Sequence, residues 1–308
     1  LRGTPVDRLP VRLDFTPAAA QHAAAWLGLP PERLFAALGD PVSWCGANDI
    51  RVRTEGTTAF DLWGVGWDLT SEDGVRINHH PLADLAALRD YRFPDPADPR
   101  WTEGLAARIA RDRGRFATVG ALGFCLWERY WVLRGFEQAM EDLLEEPALV
   151  EDILERIVAV DVGILERLAE LGVDWLHTGD DFGAQRGLQY SVATWRKFFR
   201  PRYARIWGVA AAAGLPQSHH SCGDVRPILD DLVEIGLGML NPVQTNAMPP
   251  EELADRWGER LAFWGGLDTQ HVLPFGSPAE VRAFVDRCRA TLGRRARCAR
   301  RIVPLRPA

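Results

Sequence analysis

The sequence predicts an α/β fold, a single (β/α)8 TIM barrel, on three observations. From residue 115 onward, strand-like runs alternate with helix-like runs of roughly 10–20 residues, the pattern of βαβ units around a parallel sheet. No composition break divides the 308 residues, and one such barrel typically takes about 250. No G-x-G-x-x-G opens a helix, so an open dinucleotide-binding sheet has no support.

The elements follow in order. Residues 9–15 form a candidate first barrel strand, and residues 42–80 carry β-rich, Trp- and Gly-rich runs that read as hairpins inserted early in the barrel. Pro94-Asp95-Pro96-Ala97-Asp98-Pro99 is a surface loop. A short β-rich run covers 115–121 and a helix 135–146. Pro147 then opens a helix to about 171, with Leu149, Ile153, Ile157, Val160, Ile164 and Leu168 at helical spacing and Gly172 as its stop. Strands are expected at 173–178, 217–222, 239–243 and 261–267. Helices are expected at 192–213, 225–235, 250–257 and 278–292. Residues 1–293 thus form one barrel, with the insertion at 42–80. Residues 294–308 form an atypical tail that leaves the C-terminal strand incomplete or aberrant.

Composition excludes several function classes. There is no apolar run near the roughly 20 residues a membrane helix needs, and no signal peptide is expected. Five cysteines without a C-x-x-C pair argue for a reducing, cytoplasmic setting rather than a disulfide framework. A net charge of −6 implies no general nucleic-acid affinity. The tail holds six Arg and no acid; without it the balance is 30 basic against 42 acidic residues, or −12. Lys197 is the only lysine and lies in a helical pattern, which argues against imine-forming catalysis on a small-molecule substrate.

The most informative segment is Gln217-Ser218-His219-His220-Ser221-Cys222-Gly223-Asp224. Side chains alternate along a strand, so His220 and Cys222 share a face and can hold one borderline-soft metal ion. A core histidine beside a buried thiol would look the same locally. Three more predicted strands end in polar groups: Asp180-Asp181, Asn241 with Gln244, and Asp268 with its neighbours. Active sites of such barrels lie at the C-terminal strand ends, so these groups are expected to converge there. Helix capping is the competing explanation for Asp181, Asp224 and Asp268. For Asp180 and Asp181, one structural and one functional residue is the favoured division.

The segments Gly179-Asp180-Asp181-Phe182-Gly183, His220-Ser221-Cys222-Gly223, Leu240-Asn241-Pro242-Val243-Gln244 and Phe263-Trp264-Gly265-Gly266-Leu267-Asp268-Thr269-Gln270 together resemble the uroporphyrinogen decarboxylase superfamily, most clearly over 115–292. That superfamily includes metal-free decarboxylases and zinc-dependent methyltransferases that work with a corrinoid protein. Decarboxylases carry an N-terminal motif of the R-Q-A-G-R type. Here residues 9–17 offer only Arg12, which removes the bidentate partners of a multi-carboxylate substrate. The H-x-C-G element resembles the methyltransferase branch, which implies His220 and Cys222 as zinc ligands; Asp180 and Asp181 are the catalytic candidates. Gln185, Asn241, Gln244 and Asp268 would then bind substrate, and Tyr190 would line the pocket. The family's third ligand is a Cys in a Gly-rich strand. Cys298 lies in the matching part of the chain, in unmatched Arg-rich surroundings. The expectation is zinc-dependent methyl transfer involving a corrinoid partner. Its alternatives are a metal-free carboxy-lyase of porphyrin biosynthesis, or the inactive product of a truncated or frameshifted gene that the tail would betray.

Overall fold

The computed structural model describes residues 12, 15–47, 50–70 and 76–293. Its strands run in chain order β1 (Val42–Gly46), β2 (Arg51–Glu55), β3 (Thr58–Asp61), β4 (Gly66–Asp68), β5 (Ile77–His79), β6 (Ala117–Leu122), β7 (Trp175–Gly179), β8 (Gly183–Ala184), β9 (Gly187–Leu188), β10 (Gln217–His220), β11 (Met239–Val243) and β12 (Ala262–Gly265). Six of them form one parallel sheet in the order β1-β6-β7-β10-β11-β12. Each member of that sheet lies beside the next one along the chain, which is how barrel staves follow one another.

The sheet curls strongly. Trp44 of β1 and Trp264 of β12 sit at opposite ends of the strand order, yet their rings meet edge to face with centroids 6.1 Å apart. His177 of β7 lies against both, at 4.9 Å and 5.7 Å. Around them, Ala117, Val119, Ala121, Trp175, Met239 and Ala262 pack as an inner cluster separate from the larger core beneath the helices. Two cores on the two faces of one parallel sheet are the signature of a barrel, whose lumen is filled with side chains. Among the described residues no strand pairing closes β12 onto β1. The expected first strand at 9–15 and the expected tail lie mostly or wholly outside the described residues.

The outer layer follows sequence periodicity. The helix Pro147–Glu170 buries Ile153, Ile157, Val160, Ile164 and Leu168, as its spacing requires. The expected continuous helix over 192–213 is interrupted by one wide π turn at Trp195–Phe199, after which Arg200–Ala212 resumes as α-helix. Pro201 has no N–H to donate to the carbonyl four residues back, and a wide turn accommodates that loss. The segment 225–235 begins as a 3-10 turn at Arg226–Ile228 before the helix Leu229–Glu234.

Residues 42–80 differ from expectation at their start. Val42–Gly46 is not part of the insertion; it is a barrel strand pairing with Ala117–Ala121. The insertion is the antiparallel sheet β2-β3-β4-β5. Its anchor is Asp61, whose carboxylate accepts from the amides of Trp63 and Val65, from Trp67 Nε1 at 3.1 Å and from Arg129 at 3.4 Å. Arg129 belongs to the helix Leu126–Arg134 and lies over the Trp63 ring at 4.7 Å. A buried ion pair and two indoles thus fasten the insertion to the barrel rim.

Candidate metal centre

β10 ends at His220, and strand alternation divides its two histidines. His219 points outward into the helical layer. It is fully buried and stacked on Phe182 at 4.9 Å, and it hydrogen-bonds Thr178 Oγ1 at 2.8 Å through Nδ1 and the Asp180 carbonyl at 3.2 Å through Nε2. Burial pushes its pKa down, so it is a neutral core histidine. His220 points into the barrel mouth, where its side chain is 40% exposed.

There His220 meets Cys222, with Nε2 and Sγ 3.5 Å apart. Its other nitrogen, Nδ1, donates to Asn241 Oδ1 at 2.8 Å, which leaves the Nε2 lone pair facing the sulfur. A carboxylate oxygen of Asp181 completes a group whose ligand atoms all lie within 4.8 Å of one another, and this triad is the only one of its kind among the described residues. Asp181 Oδ1 lies 3.6 Å from His220 Nε2 and accepts the Cys222 amide at 2.7 Å. Burial, with the Asp181 charge beside it, pushes the Cys222 thiol up to about 12, so it holds its proton when no cation is near.

Two glycines make this approach possible. Gly223 has φ +79°, and a Cβ there would fall 2.6 Å from the backbone of Ala184. A Cβ on Gly183 would fall 2.5 Å from the Cys222 carbonyl oxygen. The loop after β7 and the turn after β10 therefore touch backbone to backbone, a contact only glycine permits. Hydrogen bonds seal it: Asp224 N to the Ala184 carbonyl at 2.8 Å, Phe182 N to Ser221 Oγ at 2.8 Å, and Gly223 N to Gln244 Oε1 at 2.9 Å.

The two neighbouring aspartates separate in role. Asp180 is fully buried; one oxygen accepts the Trp127 amide at 2.6 Å and the Tyr203 hydroxyl at 2.5 Å, the other the Glu128 amide at 2.6 Å. It satisfies the first N–H groups of the helix Leu126–Arg134 and braces it against β7. Burial pushes its carboxyl up, against the pull of those three donors. Asp181, by contrast, reaches the mouth.

The remaining expected site residues are placed as follows. Asn241 orients His220, and Gln244 holds the Gly223 turn. Asp268 accepts the amides of Gln270 and His271 and the Asn246 side chain, so it shapes the turn after β12. Gln185 is exposed at the tip of the β8–β9 hairpin. The glutamine that reaches inward is Gln189, bonded to the Asp181 carbonyl at 3.0 Å and to Trp127 Nε1 at 2.9 Å. Tyr190 packs between Trp127 and Phe199, its hydroxyl buried. Cys298 lies outside the described residues. Sequence reading passed over Glu128, whose carboxyl adjoins Asp180, Asp181 and Cys222 and is pushed up by burial and then by the two aspartates. A first-turn Glu six residues past a strand carries no signal of its own.

Comparison with known proteins gives the family and the fold. Residues 1–298 match the family model for uroporphyrinogen decarboxylase (URO-D). A curated uroporphyrinogen decarboxylase from Mycolicibacterium vanbaalenii is 25% identical over 233 residues, covering 71% of this chain and 62% of that protein. The chain therefore spans under two thirds of that relative's length. Among solved structures, a methyltransferase from Methanosarcina mazei aligns with a TM-score of 0.65 over 96% of this chain and 87% of that one, at 16% identity, a likeness of fold. With the family match running over residues 1–298, this chain belongs to the uroporphyrinogen decarboxylase family.

Proposed function

We propose that this chain is a zinc-dependent methyltransferase of the family, acting on a small-molecule substrate together with a corrinoid carried by a partner protein. The observation that carries the reading is the pair His220 Nε2 and Cys222 Sγ, 3.5 Å apart at the open end of a barrel strand. Tetrahedral zinc, with Zn–N about 2.0–2.1 Å and Zn–S about 2.3 Å, requires its nitrogen and sulfur ligands to stand about 3.5 Å apart. The donors fit the ion. Bound there, zinc would act as a Lewis acid that lowers the pKa of a thiol or water ligand.

The protein's own groups have defined parts in this reading. Asn241 fixes the His220 tautomer and ring plane, as outer-shell partners of metal-bound histidines do. Asp180 is a positioning residue, holding the Asp181 turn against the helix Leu126–Arg134. Trp44, Trp264 and His177 fill the lumen below, so a substrate must enter from the mouth and not through the barrel.

Metal analysis of the purified protein tests the proposal. Stoichiometric zinc in the wild type, lost in Cys222→Ala, is expected. No zinc after reconstitution, or unchanged zinc in Cys222→Ala, contradicts it.

A second reading, metal-free decarboxylation, is favoured by the name of the curated relative. It predicts activity without metal that survives Cys222→Ala. The charge around the mouth weighs against it. Arg12 is tied to Asp40 at 2.7 Å and lies over Trp44 at 5.3 Å, while Asp181 presents its carboxylate beside His220 at the mouth. A multi-carboxylate substrate would meet like charge there.

A further inference from the structure

We infer that Asp181 is the third protein ligand, making the centre a His-Cys-Asp site with nitrogen, sulfur and oxygen donors. The inference rests on the zinc reading above and assigns the position that the family resemblance gives to a second cysteine.

Three observations support it. First, the distances fit one ion. Asp181 Oδ1 stands 3.6 Å from His220 Nε2, and tetrahedral zinc with Zn–N and Zn–O bonds of about 2.0–2.2 Å spaces such atoms about 3.4 Å apart. With the His220–Cys222 separation of 3.5 Å, two edges of the coordination triangle are already set to within a few tenths of an ångström. Second, the carboxylate is aimed. Oδ1 accepts the Cys222 amide at 2.7 Å, a bond that fixes the acid beside the very residue whose sulfur it accompanies and still leaves lone pairs on both oxygens. Third, the backbone is built for the approach: Gly183 and Gly223 lie where a Cβ would drive the two loops apart.

The chemistry is self-consistent. A neutral imidazole, a thiolate and a carboxylate carry two negative charges, which balance a divalent ion. Three protein ligands leave a fourth tetrahedral position open for a reacting group, the arrangement of catalytic zinc sites. One thiolate in place of two makes the centre harder, so it accepts cobalt(II) readily and favours soft monovalent copper less.

The test is metal affinity and the cobalt(II) spectrum of the full chain, with circular dichroism checking the fold of each variant. Wild type should bind stoichiometric zinc or cobalt, with a charge-transfer band of one sulfur. Asp181→Asn keeps an acceptor for the Cys222 amide and should bind zinc at least about ten-fold more weakly. Asp181→Cys should restore tight binding and strengthen the charge-transfer band. Unchanged zinc affinity in Asp181→Asn, or an Asp181→Cys spectrum with no added sulfur intensity, overturns the assignment of Asp181 and leaves the zinc reading standing. Failure of the wild type to bind either metal overturns both.

Discussion

Gly183 and Gly223 face each other backbone to backbone, and a Cβ on either would fall 2.5–2.6 Å from an atom of the opposing loop. This contact brings Asp181 and Cys222 together, because the first glycine lies two residues after the acid and the second directly follows the thiol. Gly223→Ala must therefore strain a residue held at φ +79° and also part the loops. The expected cost is about 1–3 kcal/mol of folding stability, with weakened zinc binding. Chemical denaturation and zinc titration check it; wild-type values for both would contradict the packing described.

Asn241 tests the outer shell. Its Oδ1 accepts from His220 Nδ1 at 2.8 Å. Asn241→Leu should leave that N–H unpaired, loosen the ring and lower zinc affinity by about 10–100-fold. Isothermal titration with zinc measures the change, and an affinity equal to wild type would mean the ring is held by other contacts.

Asp161 predicts a pH dependence of stability. It is buried in the helix Pro147–Glu170, one carboxylate oxygen has no hydrogen-bond partner, and burial pushes its pKa up to about 8. Its contribution to stability is therefore full below the unfolded value of about 3.9 and lost as pH rises toward 8. The slope attributable to this group approaches about 1.4 kcal/mol per pH unit across that window. Asp161→Asn should remove it, so the variant gains on wild type as pH rises. Denaturant melts at several pH values decide; parallel curves for the two proteins would refute the assignment.

The insertion depends on one buried pair. Asp61→Ala leaves Arg129 buried and unpaired and strips the acceptor from Trp63, Val65 and Trp67. A loss of about 3–5 kcal/mol is expected. Limited proteolysis should then cut first within residues 51–79. Unaltered resistance there would show that the sheet is held by its indoles alone.

Much of this was legible in the sequence, for identifiable reasons. The helix Pro147–Glu170 shows its apolar period because one face is buried and the other is wet. Strand alternation turns His219 into the core and His220 to the mouth; β10 ends there, and the turn that follows carries Cys222 to the same mouth. The helix Leu126–Arg134 was missed because it is buried nearly all round, including Arg129 and Arg134, so it shows no amphipathic stripe. Glu128 was missed with it. Gln185 sits at the tip of one hairpin and Gln189 directly after it, and which of them turns inward is set by the β8–β9 register, which short Gly-rich strands do not announce. Val42–Gly46 was read as insertion because hairpin-like sequence begins directly after it.

The zinc K-edge absorption spectrum of the purified wild-type chain addresses the central claim most directly. It should show one sulfur at about 2.3 Å and the remaining scatterers, nitrogen and oxygen, at about 2.0–2.2 Å, and Cys222→Ala should give no protein-bound zinc signal. A zinc shell without sulfur, or a sulfur shell that persists in Cys222→Ala, would contradict it.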